Sequence, residues 1–373
     1  MGNRYMFVPR QAWIRAFRPK GGNASEKIAG LRIGFVAATA GLIMMFWAIN
    51  QESTVGTARY YQANTYDLVA TQHGSTSQGE SSSVPPQLMR ELEATPGVRA
   101  DGMMYYWGRI QGRDVLYGMY RPGGSNAPPL AKGRDIASDQ EATIDDSLAD
   151  ILGIHIGDSF DLVDQRFTIV GTTLETGSYG KELLFISPQA MFNLYGGAEV
   201  YNTIAIKFAP GTTKLPDDLV ARWAGKVDFI TRQAYIDGNI GYWASSITPL
   251  IAIIIAVLTA LALPTLLVIL IKQISLQLPT LGIMRAVGAS RRQIGAIEAL
   301  TMAYLGVAGF VLGIPLGYLL IQLTNLVTPG FHATLGADGV LMSAAAVLMV
   351  CLIAVAVGWY KAGKATPMAL IRA

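Results

Sequence analysis

The 373-residue chain holds one cysteine and three histidines, and only 15% of its residues are charged. Each scarcity excludes something. A lone thiol, Cys351, set inside an apolar run, leaves no disulfide framework and no thiolate metal site. His73, His155 and His332 stand far apart without ligand spacing, so a histidine metal centre is not expected. A soluble domain carries roughly 25% charged residues, so a deficit of this size points to an outsized core or to contact with lipid. Phosphate-binding and nucleophile-elbow patterns are missing as well. The nearest approach, Gly358-x4-Gly363-Lys364, places Ala365 where a magnesium-holding hydroxyl is required, and it leaves an apolar run rather than a strand. The chain is therefore not expected to be an enzyme by itself or to hold a cofactor.

What charge there is avoids four windows: Ile33–Gln51, Gly238–Ile271, Ala299–Gly336 and Gly339–Tyr360 contain no Asp, Glu, Lys or Arg. Each holds at least the roughly 17 to 20 apolar residues that a helix needs to cross about 30 Å of hydrocarbon. They predict transmembrane helices at 33–51, 246–271, 299–325 and 339–360. More than thirty residues precede the first, and no small-residue cleavage pattern follows it, unlike a cleavable signal peptide.

Orientation follows from the basic residues. Residues 1–32, 272–298 and 361–373 together carry 14 basic and 2 acidic residues, whereas 52–245 carries 15 basic and 23 acidic ones. Both termini and the 272–298 loop are therefore expected in the cytoplasm, and 52–245 outside it. The basic excess reports membrane topology; no groove-reading motif is present, and no nucleic-acid partner is expected. In PRQAWIRAFR (Pro9–Arg18), Trp13 and Phe17 are flanked by arginines, which predicts a short amphipathic helix at the inner interface, broken by Gly21-Gly22.

The outer segment shows a weak internal repeat. YDLVAT (Tyr66–Thr71) reads as a strand. The Ser/Gly-rich run Ser75–Ser83 reads as a loop, and PPQLMRELEATPGV as a helix with Leu88 and Leu92 one turn apart and Gly97 at its end. A strand near Met103–Trp107 closes this first unit. The second runs from NTIAIKF, with Ile204, Ile206 and Phe208 on one face, through a helix grouping Leu219, Val220 and Trp223, to the strand VDFIT. Between the two, 141–187 reads as a separate β-rich lobe. Its acids Glu141, Asp145, Asp146, Asp150, Asp158, Asp161 and Asp164 match no calcium loop and read as a solvated face. The run Met103–Trp107 fits either a buried strand or a grip on an apolar ligand. The fold class is thus an α+β integral membrane protein: four transmembrane helices, with a large two-lobed α/β extracytoplasmic domain inserted between the first and second.

LGIMRAVGASRRQI (Leu281–Ile294) lies between the second and third apolar windows. LGIMRAVG forms two helical turns, Gly288 suits the left-handed residue that ends a helix, and Ser290 with Gln293 has capping-box spacing. Gly282, Ala286 and Ala289 share a small-residue face, and Arg285 projects a charge. Such a piece either docks into a groove of a cytoplasmic protein or lies under the headgroups. Further on, Gly309, Gly313 and Gly317 form a stripe where backbones pack closely, against a second copy or within the chain. Pro264 and Pro315 lie inside spans, where they kink helices.

LGIMRAVGASRRQIGAIEAL with this glycine stripe resembles the core motif of FtsX-like permeases, membrane subunits of ABC transporters related to MacB and LolC. IDDSLADILGIHIGDSFDL with RFTIVGT resembles the MacB-like periplasmic domain, YWASSITPL resembles the DevC branch, and TPMALIR resembles the family's closing signature. The resemblance implies that Gly282, Ile283, Met284, Arg285, Ala286, Val287 and Gly288 form the coupling helix seated on an ATPase subunit. Ser290, Arg291 and Gln293 would shape the elbow, with Glu298 the acid opening the third membrane helix. Thr280 stands where the family usually has glutamate. The implied assembly has two copies of this chain, or one with a related permease, and two ATPase subunits that hold ATP and magnesium. It also has a periplasmic adaptor and an outer-membrane channel, and sits in a bacterial inner membrane. The implied mode is mechanotransmission, with a lipid, glycolipid or other amphiphile as substrate. Lipoprotein extraction and FtsX-like activation of a cell-wall hydrolase are the readings nearest to it, and a membrane-anchored sensor is the rival from another class.

Overall fold

The computed structural model describes residues 7–17, 23–75, 82–174, 176, 183–328 and 332–364. Gly21-Gly22, the centre of the Ser/Gly-rich loop and the TPMALIR tail lie outside them. Near the elbow, so do the side chains of residues 273–282, 285, 291 and 298. The chain divides into two compact units: residues 1–49, 249–324 and 333–373, and residues 50–248 with 325–332.

Helix α1 spans Phe7–Phe17, and α2 runs from Asn23 to Thr54, longer at both ends than the charge-free window. The Thr54 hydroxyl donates to the Asn50 carbonyl at 2.8 Å in its last turn. A 3-10 turn at Gly56–Ala58 then leads into the short α3, Arg59–Ala63. At Gly56 a Cβ would lie 2.8–2.9 Å from the Glu52 carboxylate, which is paired with Arg59, so a side chain there would push that carboxylate aside.

The outer unit contains two sheets. Strand β1 (Leu68–Gln72), helix α4 (Pro86–Glu93) and strand β2 (Val98–Met103) form the first strand–helix–strand unit. Helix α4 buries Leu88 and Leu92 completely and stops at Glu93; Gly97, at φ +76°, belongs to the turn into β2 rather than to the helix end. The chain then passes through Met104 into a seven-stranded sheet. Its strands are β3 (Tyr105–Ile110), β4 (Arg113–Met119), β5 (Leu130–Gly133) and β6 (Glu141–Asp145). After helix α5 (Asp146–Leu152) come β7 (Ser159–Leu162), β8 (Gln165–Thr173) and β9 (Leu183–Ile186). The strand order is β3-β4-β9-β6-β8-β5, with β7 on β8. Helix α6 (Pro188–Leu194), capped by the Ser187 hydroxyl accepting from the Ala190 amide, leads back out. Strand β10 (Thr203–Phe208), helix α7 (Asp217–Trp223) and strand β11 (Val227–Thr231) complete the second unit.

Three expectations change here. The β-rich lobe begins at Tyr105, not near 141, because hairpin β3–β4 pairs with β9 far along the chain. The run Met103–Trp107 straddles two sheets: Met103 ends β2, whereas Tyr105–Trp107 lie in β3. On α7, Leu219 is buried and Trp223 packs on the core, but Val220 faces outward at 39% exposure, because adjacent helical residues diverge by 100°.

The two strand–helix–strand units interleave into one antiparallel sheet, order β11-β1-β10-β2, the split β-α-β arrangement. Its alternation sends Ile204 and Ile206 toward α4, with Leu88 and Leu92. Val69 and Ala205 go to the opposite face, into a tyrosine-rich cluster.

Helix α8 starts at Arg232, directly after β11, and runs unbroken for 55 residues to Ala286. Residues 281–286 are therefore the end of the second span's own helix, not a separate short helix on a loop. Between Lys272 and Ala286 only Pro279 and Gly282 oppose helix, and helix formers surround both. Helix α9 (Arg291–Val327, 37 residues) and α10 (Ala337–Lys364) follow. At 1.5 Å per residue α9 is about 55 Å long. Among the described residues, four helical stretches are long and apolar enough to cross a membrane: Gly30–Ala63, Arg232–Ile269, Arg292–Val327 and Ala337–Ala356.

Candidate functional site

The turn between α8 and α9 takes only four residues, because both helix ends are satisfied locally. The Val287 amide donates to the Ile283 carbonyl at 3.0 Å, and the Ala289 amide reaches back to the Met284 carbonyl at 2.9 Å. That second bond is the six-to-one closure of a Schellman motif, with Gly288 as its left-handed residue at φ +99°. Nothing lies within 4 Å of where a Gly288 Cβ would project; the glycine serves the backbone angle, not close packing. On the other side, the Ser290 hydroxyl accepts from the Gln293 amide at 3.2 Å. The Gln293 side-chain oxygen accepts from the Ser290 amide at 2.9 Å. This reciprocal pair satisfies two orphan donors of α9.

The elbow presents apolar surface where short polar turns usually do not. Ile283 is 65% and Val287 84% exposed, and Ala286, Gly288, Ser290, Arg292 and Gln293 are exposed around them. Met284 and Ala289 are half-buried. Gly282, Arg285, Arg291 and Glu298 hold their places on the helices, with side chains outside the described residues. Behind the turn, Ile294 and Ile297 are buried and anchor the start of α9.

The glycine stripe is occupied within the chain. A Cβ on Gly309 would lie 2.6 Å from the Val36 Cβ, one on Gly313 2.7 Å from the Ala40 Cβ, and one on Gly317 3.1 Å from the Met44 Cβ. Gly41 reciprocates: its Cβ would come within 3.1 Å of the Gly317 nitrogen. Helices α2 and α9 thus meet backbone to backbone, so this stripe faces α2 rather than a second copy. Two more bonds hold α2 against α10: the Ser343 hydroxyl donates to the Ala40 carbonyl at 3.0 Å, and the Trp47 indole N–H to Asp338 at 2.7 Å. Neither was visible as a pattern in the sequence. A small cavity between α2, α8 and α10 is lined by apolar side chains, two threonines and Cys351, including Val36, Ile43, Thr259, Ala262 and Val347.

The seven outer acids do not converge. Glu141 takes two bonds from the Arg134 guanidinium, at 2.5 and 2.8 Å, and one from the Ala137 amide. Arg134 foremost, with these amide bonds, brings its carboxyl down to about 2. Asp145 caps α5 through the Ser147 amide and accepts from the Thr176 hydroxyl at 2.6 Å. Lys132 bonds Asp146, and Asp158 accepts from the His155 amide. Asp150, Asp161 and Asp164 face solvent. Among the described residues no three His, Cys, Asp or Glu groups are placed to hold a metal.

Two sequence families match. Residues 28–216 match the MacB-like periplasmic core domain, and residues 252–367 match the FtsX-like permease C-terminal region. No curated protein matches the chain. Among solved structures, the periplasmic region of MacB from Actinobacillus actinomycetemcomitans aligns with 46% of this chain and 91% of its own, at 11% identity and a TM-score of 0.38. The extracellular domain of the noncanonic ABC-type transporter YknZ from Gram-positive bacteria aligns over 43% and 88%, at 13% identity and a TM-score of 0.30.

Proposed function

Since the chain belongs to the MacB/FtsX-like family of ABC transporter permeases, which implies an ATPase partner, we propose that it converts that partner's ATP hydrolysis into movement of its outer domain. ATP and magnesium are held by the separate ATPase subunit, two of which serve a pair of permease copies. The elbow at residues 282–288 is the docking element, and the exposed Ile283 and Val287 side chains are what the ATPase covers. That exposed apolar pair, on a turn braced by a Schellman closure and a capping box, is the observation that carries the proposal. A rigid turn between two long helices passes displacement on rather than absorbing it.

Orientation follows from the charge asymmetry: both termini and the elbow lie in the cytoplasm of a bacterial inner membrane, and residues 52–245 lie outside. The spans hold few ionisable groups; one bundle cavity is apolar, and the buried Arg32, near the start of the first span, is the charged residue lining a second, which supports mechanotransmission over ion movement. The cargo is a lipid, glycolipid or other amphiphile, and the DevC resemblance adds a periplasmic adaptor and an outer-membrane channel.

The test is co-purification of the tagged full chain from its native membrane, comparing wild type with Val287→Asp, Arg285→Glu and Gly288→Glu. Each variant inserts normally and loses at least about tenfold of the bound ATPase subunit, which corresponds to about 1.4 kcal/mol. Undiminished ATPase binding and ATPase rate in all three would remove the docking role.

A further inference from the structure

The two sheets of the outer unit are attached to the helices in different ways. The four-stranded sheet is joined covalently: β11 ends at Thr231 and α8 begins at Arg232, while only four residues separate α3 from β1. The seven-stranded sheet has no such junction. It hangs from β2 through Met104 and returns through α6. Beyond those connections it shares a buried core with the four-stranded sheet, in which Ile204 and Ile206 cluster with Ile144, Leu184 and Ile186.

A column of buried rings ties it to the helices directly. Tyr235, in the first turn of α8, meets Tyr61 of α3 edge to face at 5.1 Å and 83°. Tyr61 meets Tyr60 at 5.5 Å, and Tyr60 meets Phe185 at 5.3 Å; Phe185 belongs to β9, a central strand of the seven-stranded sheet. Tyr120, just past β4, closes the column edge to face on Phe185 at 5.5 Å. All five rings are at most 1% exposed. Gly118 keeps room for the Phe185 ring, since a Cβ there would lie 2.9 Å from its edge.

Hydrogen bonds fix the column at its middle and at its Tyr120 end. The Tyr60 hydroxyl donates to the Asn126 carbonyl at 2.6 Å, and the Tyr120 hydroxyl donates to Asp135. The Arg232 guanidinium donates to the Gln62 and Asn64 carbonyls at 3.0 and 2.5 Å, tying the start of α8 to the end of α3. The same cluster takes Val69 and Ala205 from the four-stranded sheet and Leu116 and Leu183 from the seven-stranded one. The edge-to-face pairs Tyr235–Tyr61 and Tyr120–Phe185 resist sliding because their attraction depends on angle as well as distance, while Tyr61–Tyr60 and Tyr60–Phe185 are tilted, at 57° and 42°.

We propose that the column Tyr235–Tyr61–Tyr60–Phe185–Tyr120 locks the seven-stranded lobe to α3 and the first turns of α8, so that both outer sheets follow those helices as one body. Tyr60 and Phe185 are the positioning residues, because their pair is where the column passes from α3 to the lobe. This deepens the proposed coupling and rests on it for its purpose, although the linkage is measurable without any ATPase.

The experiment uses the full chain in lipid nanodiscs with its one cysteine removed (Cys351→Ser). Spin labels are placed at the exposed sites Ala234→Cys, on α8, and Asp164→Cys, at the turn between β7 and β8. Pulsed electron resonance reads the distance distribution. In the parent and in Tyr60→Phe, which keeps the ring, one narrow distribution is expected. In Tyr60→Leu and Phe185→Leu its width at least doubles. A control pair inside the lobe, Arg113→Cys with Asp164→Cys, stays narrow in every variant. An unchanged width in both leucine variants overturns the proposal. So does broadening of the control pair, which would assign the rings to the lobe's own folding. Failure here leaves the elbow's docking role standing, and failure of ATPase co-purification leaves the column standing.

Discussion

Replacing Gly313 with alanine tests the closest contact of the membrane unit. The added Cβ would lie 2.7 Å from the Ala40 Cβ and 3.1 Å from the Ala37 carbonyl oxygen, and neither atom can swing away. Ordinary contact begins near 3.4 Å, so α2 and α9 must separate locally by at least 0.7 Å. That separation also loosens Gly309 on Val36 and Gly317 on Met44, one turn to either side. Overpacking of this kind costs about 1–3 kcal/mol, roughly a five- to 150-fold loss in the ratio of folded to unfolded protein. In lipid, where no hydrophobic gain opposes separation, close packing is much of what holds helices together. The assay is denaturant unfolding in bicelles, read by tryptophan fluorescence. Ala40→Gly removes the principal clash, so the double variant should recover part of the loss. A double-mutant cycle should then give a coupling of about 0.5–3 kcal/mol. Unchanged single-chain stability, with dissociation of paired copies instead, would refute the α2–α9 contact and return the stripe to a seam between copies.

Two further outcomes follow from the described geometry. Gly288→Ala forces a side chain into φ +99° with open space around it, so the cost is backbone strain alone, about 1–2 kcal/mol. Gly288→Asn should cost less, since asparagine tolerates the left-handed region better; thermal midpoints of the two variants decide it. Glu141 has a folded pKa of about 2, below its ordinary value, so its contribution is complete above about pH 4.5 and is lost as pH falls toward 2. Glu141→Gln should flatten that acid limb in a thermal midpoint series from pH 6 to 2.5, by a small amount because the partner Arg134 is largely solvated.

Much of this architecture is local and was legible. Charge-free windows mark the spans because a buried charge in hydrocarbon is costly wherever the chain goes. Gly288, Ser290 and Gln293 carry the elbow's chemistry within six residues, since a helix stop and a helix start each involve only near neighbours. The two strand–helix–strand units show in the alternation of Ile204 and Ile206 and in the Leu88–Leu92 spacing.

Pairing between distant segments was not legible. No periodicity tells β1 to sit between β10 and β11 rather than beside β2, or tells Tyr105 to leave the sheet that Met103 closes. Those choices depend on which faces two sheets can bury at once. Likewise, three glycines four residues apart announce a close approach without naming what approaches, and only the packed bundle supplies Val36, Ala40 and Met44. Tyr60, Tyr61, Phe185 and Tyr235 looked like scattered aromatics until the fold stacked them. The sequence by itself determined where the chain meets lipid and where it turns, because those are short-range balances of solvation and backbone geometry. Which surfaces meet, and therefore how movement can travel, was decided by tertiary packing alone, because contact between remote residues exists only once the whole chain has closed around them.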